Sequence, residues 1–345
     1  MIFRRLIILL SKVKPGKTMA EEEDKKGRFE RFITRFYKFG IFLAVIMVLG
    51  AFVTDILTNH LYIKDIDAQL IQERLSIDDD EMNSRLKDEM DRIYHVANSM
   101  KESHPNLTSA SNPFSVDVGG VSTSYFTLVD FVKYKLGFPY YGISATIYAD
   151  GNKHIYRTRI GSHMIEKKAM TFDSTYDMVE IFDTLMHKMA LGIVAYTDPY
   201  IAAMFHYKRD EHKQCLKLAR YALENDPDAR KFALGTIANT YVEMGNYEEA
   251  EIHYKRCIEE FPRFWSAYWR YGQFQEKLGR FEEAEENYLI TFRKDKKLAK
   301  SVLRSLLALS CKQNDPVKFA AYKEDYLRKW ELEELNKNAD ISQCL

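Results

Sequence analysis

The heptapeptide Gly245-Asn246-Tyr247-Glu248-Glu249-Ala250-Glu251 returns 34 residues later as Gly279-Arg280-Phe281-Glu282-Glu283-Ala284-Glu285. A fixed period of this length is the mark of a stacked array in which each unit is one pair of helices. One such unit cannot bury its apolar face alone. Neighbouring units must therefore stack into a solenoid with a concave surface, and the second half of the chain is expected to be built for binding rather than for catalysis.

The register extends well beyond the heptapeptide. From Trp265 it places Tyr268, Tyr271, Gly272, Gly279, Phe281, Ala284 and Tyr288 in an order of large, large, small, small, aromatic, small and aromatic. From Lys231 it places Leu234, Ile237, Ala238, Tyr241, Gly245, Tyr247, Ala250, Tyr254 and Pro262 at the equivalent slots. Ala238 or Gly272 in the first helix and Ala250 or Ala284 in the second let the two axes approach closely, which a bulky side chain would prevent. In these positions the chain resembles the tetratricopeptide repeat. An earlier copy starts at Tyr196 with Ala202, Ala203, Cys215, Ala222, Leu223 and Pro227 in register, although Asp210 and His212 replace the glycine and the aromatic. A fourth pair, about 298–311 and 317–330, keeps the apolar spacing without the signature and reads as the cap that a solenoid end requires. Residues 196–335 are thus expected to form the repeats and their cap, and 336–345 a tail.

Phe39 to Thr54 carries no charge, and with Phe36, Tyr37, Ile56 and Leu57 it approaches the roughly 20 residues needed to cross a bilayer. Residues 36–57 are read as one uncleaved transmembrane helix, since no small-x-small cleavage site follows a shorter apolar run. Lys25, Lys26, Arg28, Arg31, Arg35 and Lys38 precede it, and only Lys64 and Arg74 follow closely. The basic side stays inside, so residues 1–35 form a cytoplasmic tail and the domains after the span lie outside, in a bacterium facing the periplasm. Phe29, Phe32, Ile33 and Phe36 alternate with arginines as a leaflet-bound helix or an extension of the span would. Met1 to Leu10 is too short to span, and Met19-Ala20 makes an alternative start.

Fifty basic and fifty acidic residues in a 345-residue chain leave it neutral, which supplies no argument for nucleic acid. Cys215 and Cys257 fall in small-residue slots of the repeats, Cys311 ends an apolar helix and Cys344 is penultimate. The four read as buried small hydrophobes rather than a disulfide framework. That sits uneasily with an oxidising compartment.

Residues 58–104 read as a helical stalk, with Met82, Leu86, Met90, Ile93, Ala97 and Met100 at steps of three and four. Residues 105–195 read as a small module of order β-α-β-β-α. Its strands are 114–118, 143–148 and 154–160, a Gly-rich break follows the first, and Asp150-Gly151 makes a hairpin between the others. Ser122 or Thr123 caps the first helix, through Leu136, and Asp173-Ser174-Thr175 precedes the stripe Met178, Ile181, Phe182, Leu185, Met189. This order is similar to that of small ring-building modules of envelope assemblies. Asp198-Pro199-Tyr200 entering the first repeat resembles bacterial membrane-anchored tetratricopeptide proteins. The resemblance implies an envelope protein and no chemistry. The fold class is therefore mainly α: one N-terminal transmembrane helix, a small α/β module and a tetratricopeptide-type α-solenoid.

No nucleophile elbow, P-loop, H-E-x-x-H or paired C-x-x-C occurs. His154, His163 and His187 crowd the module without a ligand cluster, and His154 is expected to face solvent. No catalytic residue, metal ligand or cofactor is expected. Two readings remain: a noncatalytic, membrane-anchored protein-interaction scaffold, or a receptor or enzyme whose α/β module carries the site while the repeats regulate it. In the first, the module adds a second contact or an oligomer interface. The tetratricopeptide resemblance implies a protein or peptide partner on the first helices of the pairs. Their inward positions are Tyr200, Met204, Tyr207 and Lys208, then Phe232, Asn239 and Glu243, then Trp269, Gln273 and Lys277, with the partner expected across Tyr207, Asn239 and Trp269.

Overall fold

The computed structural model describes residues 61–99, 101, 108–109, 115–118, 121–136 and 141–331, with scattered positions in 39–54 and 334–344. The chain divides into two compact units. One holds residues 61–111 and 142–345, the other residues 1–60 and 112–141.

In the larger unit a five-stranded sheet has the order β2-β1-β5-β6-β7. Its strands are β1 (Leu61–Asp67), β2 (Thr108–Ser109), β5 (Tyr141–Asp150), β6 (Lys153–Ile160) and β7 (His163–Thr171). β1 and β2 are parallel, and the β5-β6 and β6-β7 pairs are antiparallel hairpins. The first hairpin turns where Asp150 faces Lys153, with Gly151 at φ 58°, a left-handed conformation that glycine adopts without cost. Helices α1 (Gln69–Leu75), α2 (Asp79–Ala97) and α4 (Met178–Thr197) follow. α2 packs on β1, and α4 on β6 and β7. The stripe Met82, Leu86, Met90, Ile93 and Ala97 is fully buried. Asp78 caps α2 by accepting from Glu81 N at 2.8 Å, so the acidic run there serves the positive end of a helix.

For residues 58–104, read as a stalk, the structure therefore has a strand and two helices built into the same unit as the repeats. α2 packs against both α4 and the first repeat helix. The segment after it is pinned by Lys101, whose Nζ donates to Asp226 Oδ2 at 2.8 Å and Asp198 Oδ1 at 3.3 Å. Burial alone would lower the Lys101 pKa, but the two carboxylates outweigh it and hold the ammonium charged. The module differs too. β7 carries charged residues at Glu166, Lys167 and Lys168, which hid it from a search for apolar alternation. His154 is buried, not solvent-facing, because the inward positions of β6 are His154, Tyr156, Thr158 and Ile160.

The array follows as four pairs: α5 (Pro199–Tyr207) with α6 (His212–Asn225), α7 (Arg230–Glu243) with α8 (Tyr247–Glu260), α9 (Trp265–Lys277) with α10 (Phe281–Lys294), and α11 (Ala299–Lys312) with α12 (Pro316–Leu327). One turn is used four times. Asp210, Gly245, Gly279 and Asn314 all take positive φ, at 59°, 77°, 75° and 53°. In each case the next residue's N–H reaches back to the carbonyl five residues earlier: Glu211 to His206 at 3.0 Å, Asn246 to Tyr241 at 2.9 Å, Arg280 to Gln275 at 2.9 Å and Asp315 to Ser310 at 3.0 Å. This is the Schellman closure, for which Asp and Asn substitute tolerably for glycine. The first and last pairs thus keep the geometry of the repeat after losing its residues.

The end of the array corrects the cysteine reading. Cys215 and Cys257 are buried and reduced, their thiols pushed by burial up to about 11 and about 12. Cys311 and Cys344 form a disulfide, with Cα atoms 6.0 Å apart. The chain after α12 returns across α11 and buries Leu335 and Ile341 against Val302, Leu306 and Leu309, which brings the penultimate residue to the helix end. The sequence holds no short Cys spacing that would have signalled it.

In the smaller unit β3 (Ser115–Val118) and β4 (Val121–Ser124) form an antiparallel hairpin, followed by α3 (Tyr125–Leu136). Ser122 and Thr123 are thus strand residues rather than helix caps. Most of 36–57 lies outside the described residues. Those described are helical, and Phe39, Phe42, Ile46, Met47 and Leu49 among them are exposed. Among the described residues no helix is long and apolar enough to cross a membrane.

The crossing of α9 and α10 is close. A Cβ on Gly272 would lie 2.8 Å from Tyr288 Cε1 and 3.1 Å from the Ala284 carbonyl oxygen. Gly272→Ala and Ala284→Leu should each cost about 1–3 kcal/mol by overpacking. Thermal melts are the check, and unchanged midpoints in both would refute the close crossing.

Candidate functional site

The first helices of successive pairs, α5, α7, α9 and α11, line a groove with three adjoining cavities. The first, about 210 Å³, lies between α5, α7 and the start of α9. The second, about 170 Å³, lies between the C-terminal halves of α5, α7 and α9, and shares Tyr207, Asn239, Tyr254 and Arg270 with the first. The third, about 400 Å³ and more open, lies between α9 and α11 and shares Gln273 and Lys277 with the second.

Tyr200, Met204, Tyr207, Lys208, Phe232 and Asn239 line the first cavity, and Glu243, Gln273 and Lys277 the second. Trp269 lines neither. Its Nε1 donates to Ser305 Oγ of α11 at 3.1 Å, and its ring packs on the last apolar cluster. The groove position is taken by Arg270. On α9 Ser266, Arg270, Gln273 and Lys277 line the groove, at steps of four, three and four; Gln273 and Lys277 stand where the sequence spacing puts them, and only Trp269 gives way, to its neighbour Arg270. Asn98, Gly235, Thr236, Tyr254 and Phe264 also line the groove. Asn98 is the left-handed C-cap of α2, at φ 39°, and no repeat signature could have assigned it.

The aromatic wall is a row of rings. Phe232 lies 5.7 Å from Tyr200 and, edge to face, 5.3 Å from Phe264, with Lys231 Nζ 4.9 Å above the Phe232 ring. Asn239 is held from behind: its Oδ1 accepts from the Tyr254 hydroxyl at 2.5 Å. This bond ties the amide to the second helix of its pair, and the Asn239 side chain lines both the first and the second cavity. Burial raises the Tyr254 pKa, and Tyr207 is raised by burial and by the Glu243 carboxylate against the opposing Arg270 cation. Both phenols are therefore neutral hydrogen-bonding groups at physiological pH.

Charge on the groove is uneven. Lys208, Arg270 and Lys277 form no ion pair among the described residues. Arg270 instead donates to Gln273 Oε1 at 3.2 Å and stacks over Trp269, and Lys277 lies over Tyr247. Glu276 beyond them is paired with Lys312 at 2.6 Å and accepts a hydrogen bond from the Tyr288 hydroxyl. In the α/β layer, the polar residues His154, Tyr156 and Thr158 lie beneath α4, and the Glu166 carboxylate sits in the notch left by Gly192. Among the described residues no group of three or more His, Cys, Asp or Glu is placed to hold a metal ion.

Residues 233–264 and 266–289 match the tetratricopeptide repeat family. These are the second and third pairs, so the chain contains tetratricopeptide repeats, and the groove lies on their first helices. No curated protein matches the chain. Among solved structures it is similar to one titled MamA AMB-1, at 16% identity over 46% of this chain and 88% of that one, with a TM-score of 0.33.

Trp269 and Asn239 separate packing from binding. Trp269→Ala should lower stability by on the order of 2–4 kcal/mol, because its ring is part of the α9-α11 interface. Asn239→Ala should cost about 1 kcal/mol or less. Denaturant titration of both variants checks the order, and an inverted ranking would refute these placements.

Proposed function

We propose that this chain is a noncatalytic, membrane-anchored scaffold that holds an extended segment of a partner protein in the groove of its repeats. The observation that carries this reading is the Asn239 amide, held by Tyr254 and flanked by Tyr207 and Arg270 along the groove. A positioned amide can bond a peptide backbone, and rigid aromatic and Arg anchors around it are the composition of interface hot spots. The coupling of α2 and Lys101 to the first repeat supports a rigid α/β platform for the array. Asn239→Ala combined with Arg270→Glu should abolish partner recovery by the detergent-solubilised full chain, with the circular dichroism spectrum and melting temperature nearly unchanged. Full recovery by the folded double variant would refute the groove.

The anchor is residues 36–57, with residues 1–35 inside and the repeats outside, in a bacterium in the periplasm. Three observations support it: the basic residues before the span, the exposed apolar side chains of Phe39, Phe42 and Met47 on a helix, and the Cys311–Cys344 disulfide. The disulfide removes the difficulty that cysteine content posed. The two cysteines that stay reduced are buried, and the exposed Cys344 is oxidised onto Cys311, in keeping with an oxidising compartment. A C-terminal alkaline phosphatase fusion should be active in a bacterial host while a cytoplasm-only reporter is silent. The reverse pattern would overturn the topology and leave a scaffold on the cytoplasmic face.

A further inference from the structure

Two glycines inside the first helices have opposite surroundings. At Gly272 a Cβ would collide with Tyr288, and the residue is explained by packing. At Gly235, in the middle of α7, a Cβ would meet nothing within 4 Å. A mid-helix glycine weakens its helix relative to alanine, and here no neighbouring side chain or backbone requires it. What Gly235 does face is the first cavity of the groove, where it leaves bare backbone as the floor.

That cavity has the size and lining of a ring pocket. Its volume of about 210 Å³ exceeds the roughly 150 Å³ of an engineered cavity that holds benzene. Tyr200, Phe232 and Phe264 form one wall at successive ring separations of 5.7 and 5.3 Å, and a further ring would extend the series in the offset or edge-on contacts that aromatic groups favour. Lys208 and Arg270 line the same cavity as exposed cations without a carboxylate among the described residues. Glu243, which lines the next cavity, forms an ion pair with neither.

We propose that the Gly235 cavity is an anchor pocket for one aromatic side chain of the partner, carried on an extended segment with Asp or Glu beside that residue. The proposal rests on the groove reading above and adds its specificity: the ring fills the space over Gly235, the Asn239 amide holds the adjacent backbone, and Lys208 and Arg270 take the flanking carboxylates.

The test is selection of a random dodecapeptide phage library on the full chain in detergent, followed by affinity measurements of the selected synthetic peptides. We expect enrichment of an aromatic residue with an acidic neighbour. Gly235→Leu should weaken these peptides about 30-fold or more by filling the pocket. Its melting temperature should be unchanged or raised by about 1–4 °C, since the helix gains propensity and the space is open. Gly235→Ala, which adds one methyl group to open space, should weaken them less and gives the same readout if the leucine variant does not fold. Weaker binding at 0.5 M NaCl should accompany the acidic flank. Peptides that lose binding on Asn239→Ala with Arg270→Glu, yet bind the Gly235 variants as well as wild type or carry only aliphatic residues, would overturn the anchor pocket and leave the groove standing. Peptides indifferent to all these substitutions, or no enrichment at all, would overturn the groove reading and the pocket with it.

Discussion

The close crossing of paired helices, with Gly272 against Tyr288 and the Ala284 carbonyl, is the contact on which the rest of the array depends. Small residues at Ala238, Gly272, Ala250 and Ala284 bring the axes together. The large residues between them must then point either into the inter-pair core or into the groove. On α9, Tyr271 is buried in the array, while Arg270, Gln273 and Lys277 line the groove and Phe274 is buried at its edge. A shift of one residue moves a side chain from binding surface to core.

That sensitivity explains what was legible in the sequence. The period, the four helix pairs and the closeness of the crossings were readable because they depend on residue type at fixed spacing. Nine of the ten expected groove residues line its cavities for the same reason. Trp269 was misplaced because an aromatic at the mouth of a repeat helix looks like an anchor whichever way it points. Its indole N–H instead meets Ser305. The sheet was harder. β1 contains Lys64, Asp65 and Asp67, and β7 is mostly exposed, so neither shows a clean apolar alternation. The stripe on α2 was read correctly as a helix, but amphipathicity does not say what covers the apolar face. Here it is β1, α4 and α5, and the expected stalk becomes the seam between sheet and solenoid.

The Schellman turns show a second kind of illegibility. Asp210 and Asn314 stand where the signature has glycine, and by composition they weaken the match. The backbone has the same left-handed residue and the same hydrogen bond at all four turns. What the array keeps from pair to pair is a conformation, which Gly reaches without strain and Asn or Asp at a modest cost. The family match accordingly covers the two pairs with glycine and omits the two without.

The core and the groove are also linked through one register position. Tyr254 and Tyr288 lie one period apart on the second helices, with rings buried among the helix crossings. Each hydroxyl passes through to the first helix of its own pair: Tyr254 to Asn239 Oδ1 at 2.5 Å and Tyr288 to Glu276 Oε2 at 2.6 Å. Tyr322, a further period on, donates instead to Glu285 of the preceding pair at 2.6 Å, where the array is ending. The ring serves packing and the hydroxyl orients a polar group at or beside the groove. A phenylalanine would satisfy the first requirement and fail the second, removing the hydrogen bond that holds the Asn239 amide and one of the two that hold the Glu276 carboxylate. In this array the residues that fix the helix spacing therefore also hold polar side chains of the groove in place, and the binding face inherits its rigidity from the core beneath it.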